Sequence, residues 1–370
     1  MAVTRLRLRD FRSYGAVEIA LGEGLTVIHG RNGAGKTNLL EGLYFGCTGR
    51  SCRTSNEREV VRFDAQAARV EVDTGEVGLA VGFEPGKPKR FTADGAPQES
   101  LADVPGRPLT AVFLPDRLEL IKGAPALRRA HLDQVVAALW PTRAATRRAY
   151  AQTLAQRNAL LARIRSGRAG RDSMAAWDTE LAAHGVALRD DRARAAELLV
   201  APFAQLASEL GMNGEAELRY RPRTTAATPE ELAAELAERL DSDLDRGFTG
   251  HGPHRDDVLL KRDGRELRAY GSQGEQRLAL LALLLAERGV LAEERGTPPL
   301  LLLDDVMSEL DADRRALLVD RLAIGQSVIT TTDLAHVPGA DRPGVVRIAV
   351  SDGAVLQEAA EGTAARRAVV

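Results

Sequence analysis

The sequence predicts an α/β fold in which the two ends of the chain form one domain and the middle forms a mainly helical insertion. Strand patterns dominate residues 1–120 and return in residues 248–370, whereas residues 121–247 are rich in Ala, Leu and Arg at helical spacing. The two segments with the strongest chemical signatures lie on opposite sides of this insertion. We therefore expect an N-terminal lobe, an inserted arm domain and a C-terminal lobe.

Each part has a simple order of predicted elements. The N-terminal lobe contains one helix, after Lys36, among the strands TRLRLRDF, LTVIH, ARVEVD, VGLAVGFE and KRFTADG. The insertion is expected to be helical from about 125 to 240 and to include a hairpin, with a helix over 142–165 and a return helix after Ser173. In the C-terminal lobe, DVLLKRDGRELRAY is predicted to form β structure. It is followed by a helix in YGSQGEQRLALLALLLAERG, the strand PLLLLDD, another helix and the strand SVITTTD.

Composition excludes several classes of protein. The two cysteines, Cys47 and Cys52, have no companions at zinc-site spacing, so reduced thiols are expected. The N-terminal segment MAVTRLRLRDFRSYG has no apolar signal core, and the longest apolar run, 278–286, is too short to cross a bilayer. We expect a soluble, cytoplasmic protein.

The strongest motif is the loop GRNGAGKT, which fits the phosphate-loop pattern and lies between the predicted strand LTVIH and a predicted helix. Backbone N–H groups of Gly30, Arg31, Asn32, Gly33, Ala34 and Gly35 would surround the phosphates of ATP. Lys36 would reach the β- and γ-phosphates, and the Thr37 hydroxyl would bind Mg²⁺.

A second motif, PLLLLDDVMSELD, places two carboxylates directly after an apolar strand. Parallel strands deliver such residues to the carboxyl edge of a buried sheet. Asp304 would hold Mg²⁺ and Asp305 would polarise the attacking water, although many proteins with this arrangement have the longer Glu at the second position. The alternative is a core strand followed by a solvated acidic turn.

The segment YGSQGEQRLALLALLLAERG joins a polar loop to an apolar helix that includes Leu278, Leu281, Leu284 and Leu285 on one face. The free N–H groups at such a helix start favour an anion. A capped core helix behind an ordinary loop is the alternative.

The order of these motifs around a long insertion resembles the P-loop ABC-type ATPase heads of the SMC (structural maintenance of chromosomes) class. That resemblance implies that Ser272, Gly274 and Glu275 form a signature that contacts ATP held by a second subunit. It also implies that SELD forms the D-loop, with Ser308 and Asp311 at the dimer seam. FRSY resembles the segment whose Arg and Ser approach the nucleotide, which makes Arg12 and Ser13 ATP-binding candidates; an ordinary strand end is the alternative.

Within that class, five strings resemble the bacterial RecF family: LRDFRSY, FLPDRLELIKGAP with RRAHLD, GHGPHRDD, YGSQGEQR and LLLLDDVMSELD. The resemblance spans nearly the whole chain. It implies a weak, DNA-dependent ATPase that dimerises on ATP, binds duplex or gapped DNA, and acts with RecO and RecR to promote RecA loading in recombinational repair and replication restart.

Two features depart from the general ABC pattern. The switch histidine expected after the last strand is not evident, because Thr331, Thr332 and Asp333 occupy that region and His336 lies farther on. No lid glutamine is evident either, so Asp116 or Arg117 is the candidate, with a plain turn as the alternative. His254, Arg255 and Asp256 either brace the active site or form a structural hydrogen-bond cluster.

The formal net charge of −2 neither indicates nor excludes a nucleic-acid partner, but the charge is unevenly distributed. Residues 122–171 contain eleven Lys and Arg and one acid, and residues 172–247 contain sixteen acids and eight Arg. The arginine-rich segment is either a solvated helix face or a surface that contacts DNA phosphates. The candidate contacts are Arg143, Arg147, Arg148, Arg157, Arg163 and Arg165.

Two other functions fit the motifs less well. An ATPase subunit of a membrane transporter would share the nucleotide motifs, but the long insertion argues against it. A nucleotide-dependent scaffold that does not hydrolyse ATP stays open, because Asp305 stands where Glu is common.

Overall fold

A computed structural model of the protein describes residues 2–114, 118–351 and 353–358. The chain divides into two compact units. The head unit comprises residues 1–117 and 291–370, and the arm unit comprises residues 118–290. The N-terminal and C-terminal segments that the structure describes therefore belong to one unit, and the second boundary falls about forty residues later than the sequence predicts.

The N-terminal part of the head unit contains eight strands and one long helix among its described residues. In chain order they are β1 (Arg5–Phe11), β2 (Tyr14–Ala20), β3 (Leu25–His29), α1 (Lys36–Thr48), β4 (Ala68–Asp73), β5 (Gly78–Phe83), β6 (Arg90–Ala93), β7 (Ala96–Gln98) and β8 (Thr110–Phe113). In β1 the buried and exposed side chains alternate, as a strand covered on one face requires.

The arm unit contains most of the helices. Its elements are α2 (Glu119–Lys122), α3 (Pro125–Leu139), α4 (Ala144–Arg165), α5 (Met174–Glu209), β9 (Ala216–Arg221), α6 (Pro229–Glu238), α7 (Leu240–Arg246), β10 (Asp257–Arg262), β11 (Arg265–Glu266), α8 (Leu267–Tyr270) and α9 (Gln273–Arg295), which crosses the unit boundary. The last elements of the head unit are β12 (Leu300–Leu303), α10 (Ala312–Leu322), β13 (Ser327–Thr331), β14 (Val346–Ser351) and β15 (Ala354–Glu358).

Two six-stranded sheets form the head unit. One has the order β15-β14-β3-β13-β12-β8, and its strands from β14 to β8 are parallel. The other is antiparallel, in the order β2-β1-β4-β5-β6-β7. Helix α1 packs against strands of both sheets, and the buried side chains of the two sheets belong to one hydrophobic core. Consecutive residues of β3, β12 and β13 are buried, as expected for the central strands of a parallel sheet.

The arm unit confirms the predicted helical hairpin, since α4 and α5 pack together as its two limbs. It corrects the prediction of helices broken only by turns over residues 125–240, because the strand β9 lies inside that range. β9 pairs with β10, and β10 with β11, to form a three-stranded antiparallel sheet. Because α5 packs on β9 and α3 packs on β10, this sheet belongs to the arm unit, which explains the later boundary.

None of the described helices is long and apolar enough to span a membrane.

Candidate nucleotide-binding site

The loop at residues 30–35 connects the carboxyl end of β3 to the start of α1. Gly30 has φ 152°, and a Cβ there would lie 2.1 Å from the carbonyl oxygen of Val350. Gly35 has φ 112°, and a Cβ there would lie 2.7 Å from the Tyr14 hydroxyl. Only glycine fits at these two positions, so the loop curls tightly before α1. The free N–H groups and the positive end of the dipole of α1 face this loop, which suits phosphate groups.

Lys36, the first residue of α1, turns its side chain back toward the loop. Its Nζ donates to the carbonyl oxygens of Gly30, at 2.8 Å, and Arg31, at 3.0 Å. Burial lowers the pKa of Lys36, and the carboxylates of Asp305 and Asp304 oppose that shift. The ammonium is thus held by neutral carbonyl groups inside a loop built to receive an anion.

Asp304 follows β12, as predicted, and it contacts the start of α1. The Thr37 hydroxyl donates to its carboxylate at 2.9 Å, and the Thr330 hydroxyl, from β13, donates to Oδ1 at 2.7 Å. Burial raises the pKa of Asp304, and the two hydroxyl donors together with the charge of Arg53 oppose that shift. Two motifs far apart in sequence therefore meet at the carboxyl edge of the parallel sheet.

The pair Thr37 and Asp304 fits a magnesium ion. A hydroxyl and a carboxylate oxygen are ligands that Mg²⁺ prefers, and the ion usually takes one or two from the protein and others from phosphates and water. Among the described residues, no group of three or more His, Cys, Asp or Glu side chains is placed to hold a metal. The donor set is therefore that of a nucleotide-associated ion rather than an all-protein metal centre.

Asp305 adopts a left-handed backbone conformation, with φ 45°. Its N–H donates to the Thr330 hydroxyl at 2.9 Å. Its Oδ1 is buried and has no hydrogen-bond partner among the residues that the structure describes. A buried carboxylate oxygen without a donor suits an interaction with a ligand or water, as the sequence interpretation proposed for this residue.

Arg12 and Ser13 form the tight turn between β1 and β2, where Phe11 pairs with Tyr14. The guanidinium of Arg12 makes two hydrogen bonds to the carboxylate of Glu41, at 2.7 and 2.8 Å. The Ser13 hydroxyl accepts from Asn38 Nδ2 at 2.9 Å, beside the phosphate loop. The turn thus lies against the start of α1, and Arg12 is engaged by a protein carboxylate.

Sequence reasoning missed three residues of this site: Thr330, Glu41 and Arg53. Arg53 donates to the side-chain oxygen of Asn38 at 3.0 Å and to Glu41 at 3.4 Å. None of the three had a usable signal, because Thr330 is one of three hydroxyl residues in the five-residue strand β13, Glu41 is a single Glu in a helix and Arg53 is a single Arg in a loop. Thr331, in the expected switch region, instead donates to the carbonyl of Asp333 at 2.9 Å. Asp116 and Arg117, the lid candidates, lie outside the described residues.

The predicted signature residues lie in the arm unit, where Ser272 precedes α9 and Glu275 is in its first turn. The N–H of Ser272 donates to Glu275 Oε2 at 2.7 Å, and the N–H of Glu275 donates to the Ser272 hydroxyl at 3.3 Å. This reciprocal pair is a capping box, and Glu275 also binds Arg262. Gly274 is exposed, and a Cβ there would meet nothing within 4 Å. The helix behind it is a core helix, with Leu281, Leu284 and Leu285 buried.

The predicted D-loop residues follow Asp305 in the head unit. The Ser308 hydroxyl donates to the carbonyl of Asp305 at 2.8 Å, and Ser308 is exposed. The Asp311 carboxylate caps α10 by accepting from the N–H of Arg314 at 3.0 Å. Ser308 is thus tied directly to the second acidic residue of the site.

Arg157 corrects the predicted set of DNA contacts. Its side chain is fully buried and binds Asp178 and Asp243, each at 2.7 Å. The Arg157 guanidinium also donates to the Thr249 hydroxyl, so it braces the hairpin from inside and cannot contact DNA phosphates. The other arginines of that set are all exposed: Arg143, Arg147, Arg148, Arg163 and Arg165. Two of them also approach carboxylates, Arg147 at 3.1 Å from Asp133 and Arg143 at 3.7 Å from Asp191.

His254, Arg255 and Asp256 belong to the arm unit, where they form a hydrogen-bonded cluster. His254 Nδ1 lies 2.7 Å from the Tyr150 hydroxyl, and Nε2 lies 2.8 Å from the carbonyl oxygen of Thr249. Asp256 accepts from the N–H of Arg223 at 2.6 Å and is fully buried. The contacts of His254 and Asp256 therefore support the structural alternative for this segment.

The parallel sheet, the phosphate loop on α1 and the acidic residues after β12 define the class as an ABC-type ATPase with an SMC-like head. Solved SMC head structures share the fold: one bound to the winged-helix domain of ScpA is 18% identical, with a TM-score of 0.57 over 98% of both chains. A family profile described as an AAA domain matches residues 5–92.

The chain belongs to the RecF family of DNA replication and repair proteins. It is 38% identical to RecF of Streptomyces avermitilis over 96% of this chain and 99% of that protein. It is also 38% identical to RecF of Chloroflexus aurantiacus, over 96% of this chain and all of that protein. A solved structure of the recombination mediator protein RecF with ATP, in the RecFOR pathway, is 30% identical, with a TM-score of 0.85 over 97% of this chain and 98% of that one.

Proposed function

We propose that this protein is an ATP-driven switch in DNA repair, which closes into a homodimer when it binds ATP and grips DNA in that state. The observation that carries the proposal is the meeting of Thr37 and Asp304, at 2.9 Å, beside a loop that only glycine-rich sequence can form. Lys36 and the N–H groups of residues 31–35 would bind the phosphates of ATP. The RecF structure solved with ATP supports this choice of ligand.

Magnesium fits this site through Thr37 and Asp304 and would neutralise phosphate charge there. Asp305 would orient the attacking water, because its Oδ1 is buried and lacks a donor among the described residues. A short Asp, held in a left-handed backbone conformation, reaches less far than Glu, so we expect slow hydrolysis. From the family resemblance we further propose that DNA stimulates it. Single-turnover hydrolysis by the purified protein separates this proposal from a scaffold that never hydrolyses ATP.

The dimer would be built from the signature of one protomer and the nucleotide of its partner. Ser272 and Gly274 are exposed at the start of α9, so both are accessible to a nucleotide held by a partner. Ser308 is exposed and bonded to Asp305, so a contact at Ser308 would reach the acidic residues of the site through one hydrogen bond. We infer that ATP bridges the two protomers and that hydrolysis releases them.

The proposal that this protein binds DNA and partner proteins rests on its family. The relatives are DNA replication and repair proteins, and one solved relative is placed in the RecFOR pathway. We propose that this chain acts with RecO and RecR at duplex or gapped DNA and promotes the loading of RecA. Arg143, Arg147 and Arg148 offer exposed cations for sequence-independent contacts with the phosphate backbone.

The test is DNA binding with and without ATP. Binding to duplex, single-stranded and gapped DNA would be measured at several salt concentrations. We expect ATP to tighten binding to duplex and gapped DNA, with an affinity that falls steeply as salt rises. Equal affinity with and without ATP would contradict the proposed switch.

A further inference from the structure

Glu41 is a carboxylate on α1 that is fully buried, one helical turn after Thr37. Both of its oxygens are occupied. Oε1 accepts from Arg12 Nη2 at 2.7 Å and from the Ser51 hydroxyl at 2.6 Å. Oε2 accepts from Arg12 Nε at 2.8 Å and from Arg53 Nη1 at 3.4 Å. A buried carboxylate with this many donors fixes the segments that supply them.

One of those segments is the turn between β1 and β2. Arg12 has φ 53°, a left-handed conformation that residues with a Cβ rarely adopt. Such a conformation persists only where its surroundings hold it. The holding contacts are the two hydrogen bonds from the Arg12 guanidinium to Glu41 and one from the Arg12 N–H to the carbonyl of Val60, at 2.8 Å.

The same turn contacts the phosphate loop directly. The Tyr14 hydroxyl donates to the carbonyl oxygen of Gly35 at 3.0 Å, and the Ser13 hydroxyl accepts from Asn38 at 2.9 Å. Gly35 is the last loop residue before α1, and its carbonyl oxygen also accepts from the N–H groups of Asn38, at 2.9 Å, and Leu39, at 3.2 Å. Glu41 is therefore linked to the loop through Arg12 and Tyr14.

We propose that Glu41 is a positioning residue that fixes the conformation of the phosphate loop through the Arg12 turn. The donors to its carboxylate described above, Arg12, Ser51 and Arg53, all lie outside residues 30–35. The inference rests on the proposed nucleotide function of that loop. In this proposal, Arg12 supports the phosphate loop indirectly, through its bonds to Glu41 and the turn. The sequence had instead suggested that the Arg12 side chain approaches the nucleotide itself.

This role predicts a particular kinetic signature. The loop holds phosphates that ATP and ADP share, and it holds them before any bond breaks. Loss of its fixed conformation should therefore weaken ATP and ADP equally, by about tenfold, and leave kcat within about threefold, as expected for an interaction made equally in the ground and transition states. A residue that acted on the chemical step would instead lower kcat at unchanged affinity.

The experiment compares three variants of the full-length protein with the wild type. Glu41→Gln keeps the side-chain volume and removes the charge. Tyr14→Phe removes only the hydroxyl that contacts Gly35. Asp178→Asn is the matched control, because Asp178 is also a buried carboxylate that accepts from an arginine, Arg157, in the arm unit. Dissociation constants for ATP and ADP, kcat and the melting temperature are measured for each.

We expect Glu41→Gln to raise both dissociation constants about tenfold, Tyr14→Phe to raise both two- to threefold, and Asp178→Asn to lower the melting temperature without changing either constant. Wild-type affinity in a folded Glu41→Gln protein, or a fall in kcat alone, overturns the inference. If Glu41→Gln does not fold, unchanged affinity in Tyr14→Phe overturns it. A wild-type protein that binds no ATP would instead refute the proposed function.

Discussion

In the arm unit, Arg128, Arg157 and Arg192 are each buried against a carboxylate, with N–O distances of 2.7 to 2.8 Å. In the head unit, Lys36 and Asp304 are also buried, yet Lys36 donates to backbone carbonyls and Asp304 accepts from hydroxyl groups. In the arm unit, each of these buried arginines is therefore neutralised by a carboxylate of the protein itself. The head has opposite charges at one sheet edge that are held by neutral groups, which is the arrangement a charged ligand with its metal ion requires.

This difference in the partners of buried charges distinguishes the structural ion pairs of the arm unit from the ligand site of the head unit. Breaking one of these matched pairs of the arm unit should damage folding and spare nucleotide binding, whereas removing a charge from the ligand site should damage function and spare folding.

The largest effect is expected for Arg157→Met. This change leaves Asp178 and Asp243 buried without their cation. We expect the free energy of unfolding to fall by about 3 to 5 kcal/mol, measured by urea denaturation, with ATP affinity unchanged. Arg148→Met is the control, because Arg148 is exposed and its loss should change stability by less than about 0.5 kcal/mol. Equal stability of the two variants would contradict the assignment of Arg157.

Asp304→Asn is expected to lower kcat by about 10²- to 10³-fold, because a neutral amide would hold the magnesium ion that neutralises phosphate charge more weakly than the carboxylate does. Burial raises the pKa of Asp304, so its ionised form is strained in the folded protein. The melting temperature should therefore stay the same or rise. Steady-state hydrolysis and a thermal scan measure both effects, and a marked loss of stability would place Asp304 with the structural ion pairs.

His254 gives the arm a predicted pH dependence. Burial and the charges of Arg255 and Arg129 lower its pKa to about 4, against opposing effects of Thr249 and Asp243. Since the unfolded chain binds a proton below about pH 6.5 and the folded one does not, stability should fall as the pH drops from 6.5 to 4. The wild type should lose up to about 3 kcal/mol more than His254→Gln over this window. Parallel curves of unfolding free energy against pH for the two proteins would refute the assignment.

The smallest effect is expected for Arg148→Ala. Removal of one exposed phosphate contact should weaken DNA binding a few-fold for all sequences and reduce the slope of log affinity against log salt by about one. Binding isotherms at four or five salt concentrations measure both quantities. An unchanged slope would show that Arg148 is a solvated residue of the helix face.

Sequence alone predicted the parts of the site that depend on local pattern. The loop 30–37 has a fixed spacing and Asp304 follows an apolar strand, so the order of residues along the chain was enough to assign both. Glu41, Arg53 and Thr330 could not be assigned in this way, because their roles arise from contacts between strands, loops and α1 that no spacing records. Arg157 was misassigned for a related reason: an arginine in a helix has the same appearance in sequence whether acids from two other helices surround it or water does.

The arm boundary was misplaced because β9 and β10 pair across the intervening helices α6 and α7. Their strand patterns are similar to those of the head unit, and only the pairing and the packing of α3 and α5 on them show which unit they join. Local propensity predicted the strands but not their partners.

The central claim is that ATP held by one protomer recruits the exposed Ser272 of another. Sedimentation velocity of the wild type, Asp304→Asn and Ser272→Arg, each with and without ATP and Mg²⁺, tests it most directly. We expect the wild type and Asp304→Asn to dimerise only with ATP, and Ser272→Arg to bind ATP normally and stay monomeric. Dimerisation of Ser272→Arg, or a wild-type sedimentation coefficient that ATP does not change, would contradict the account.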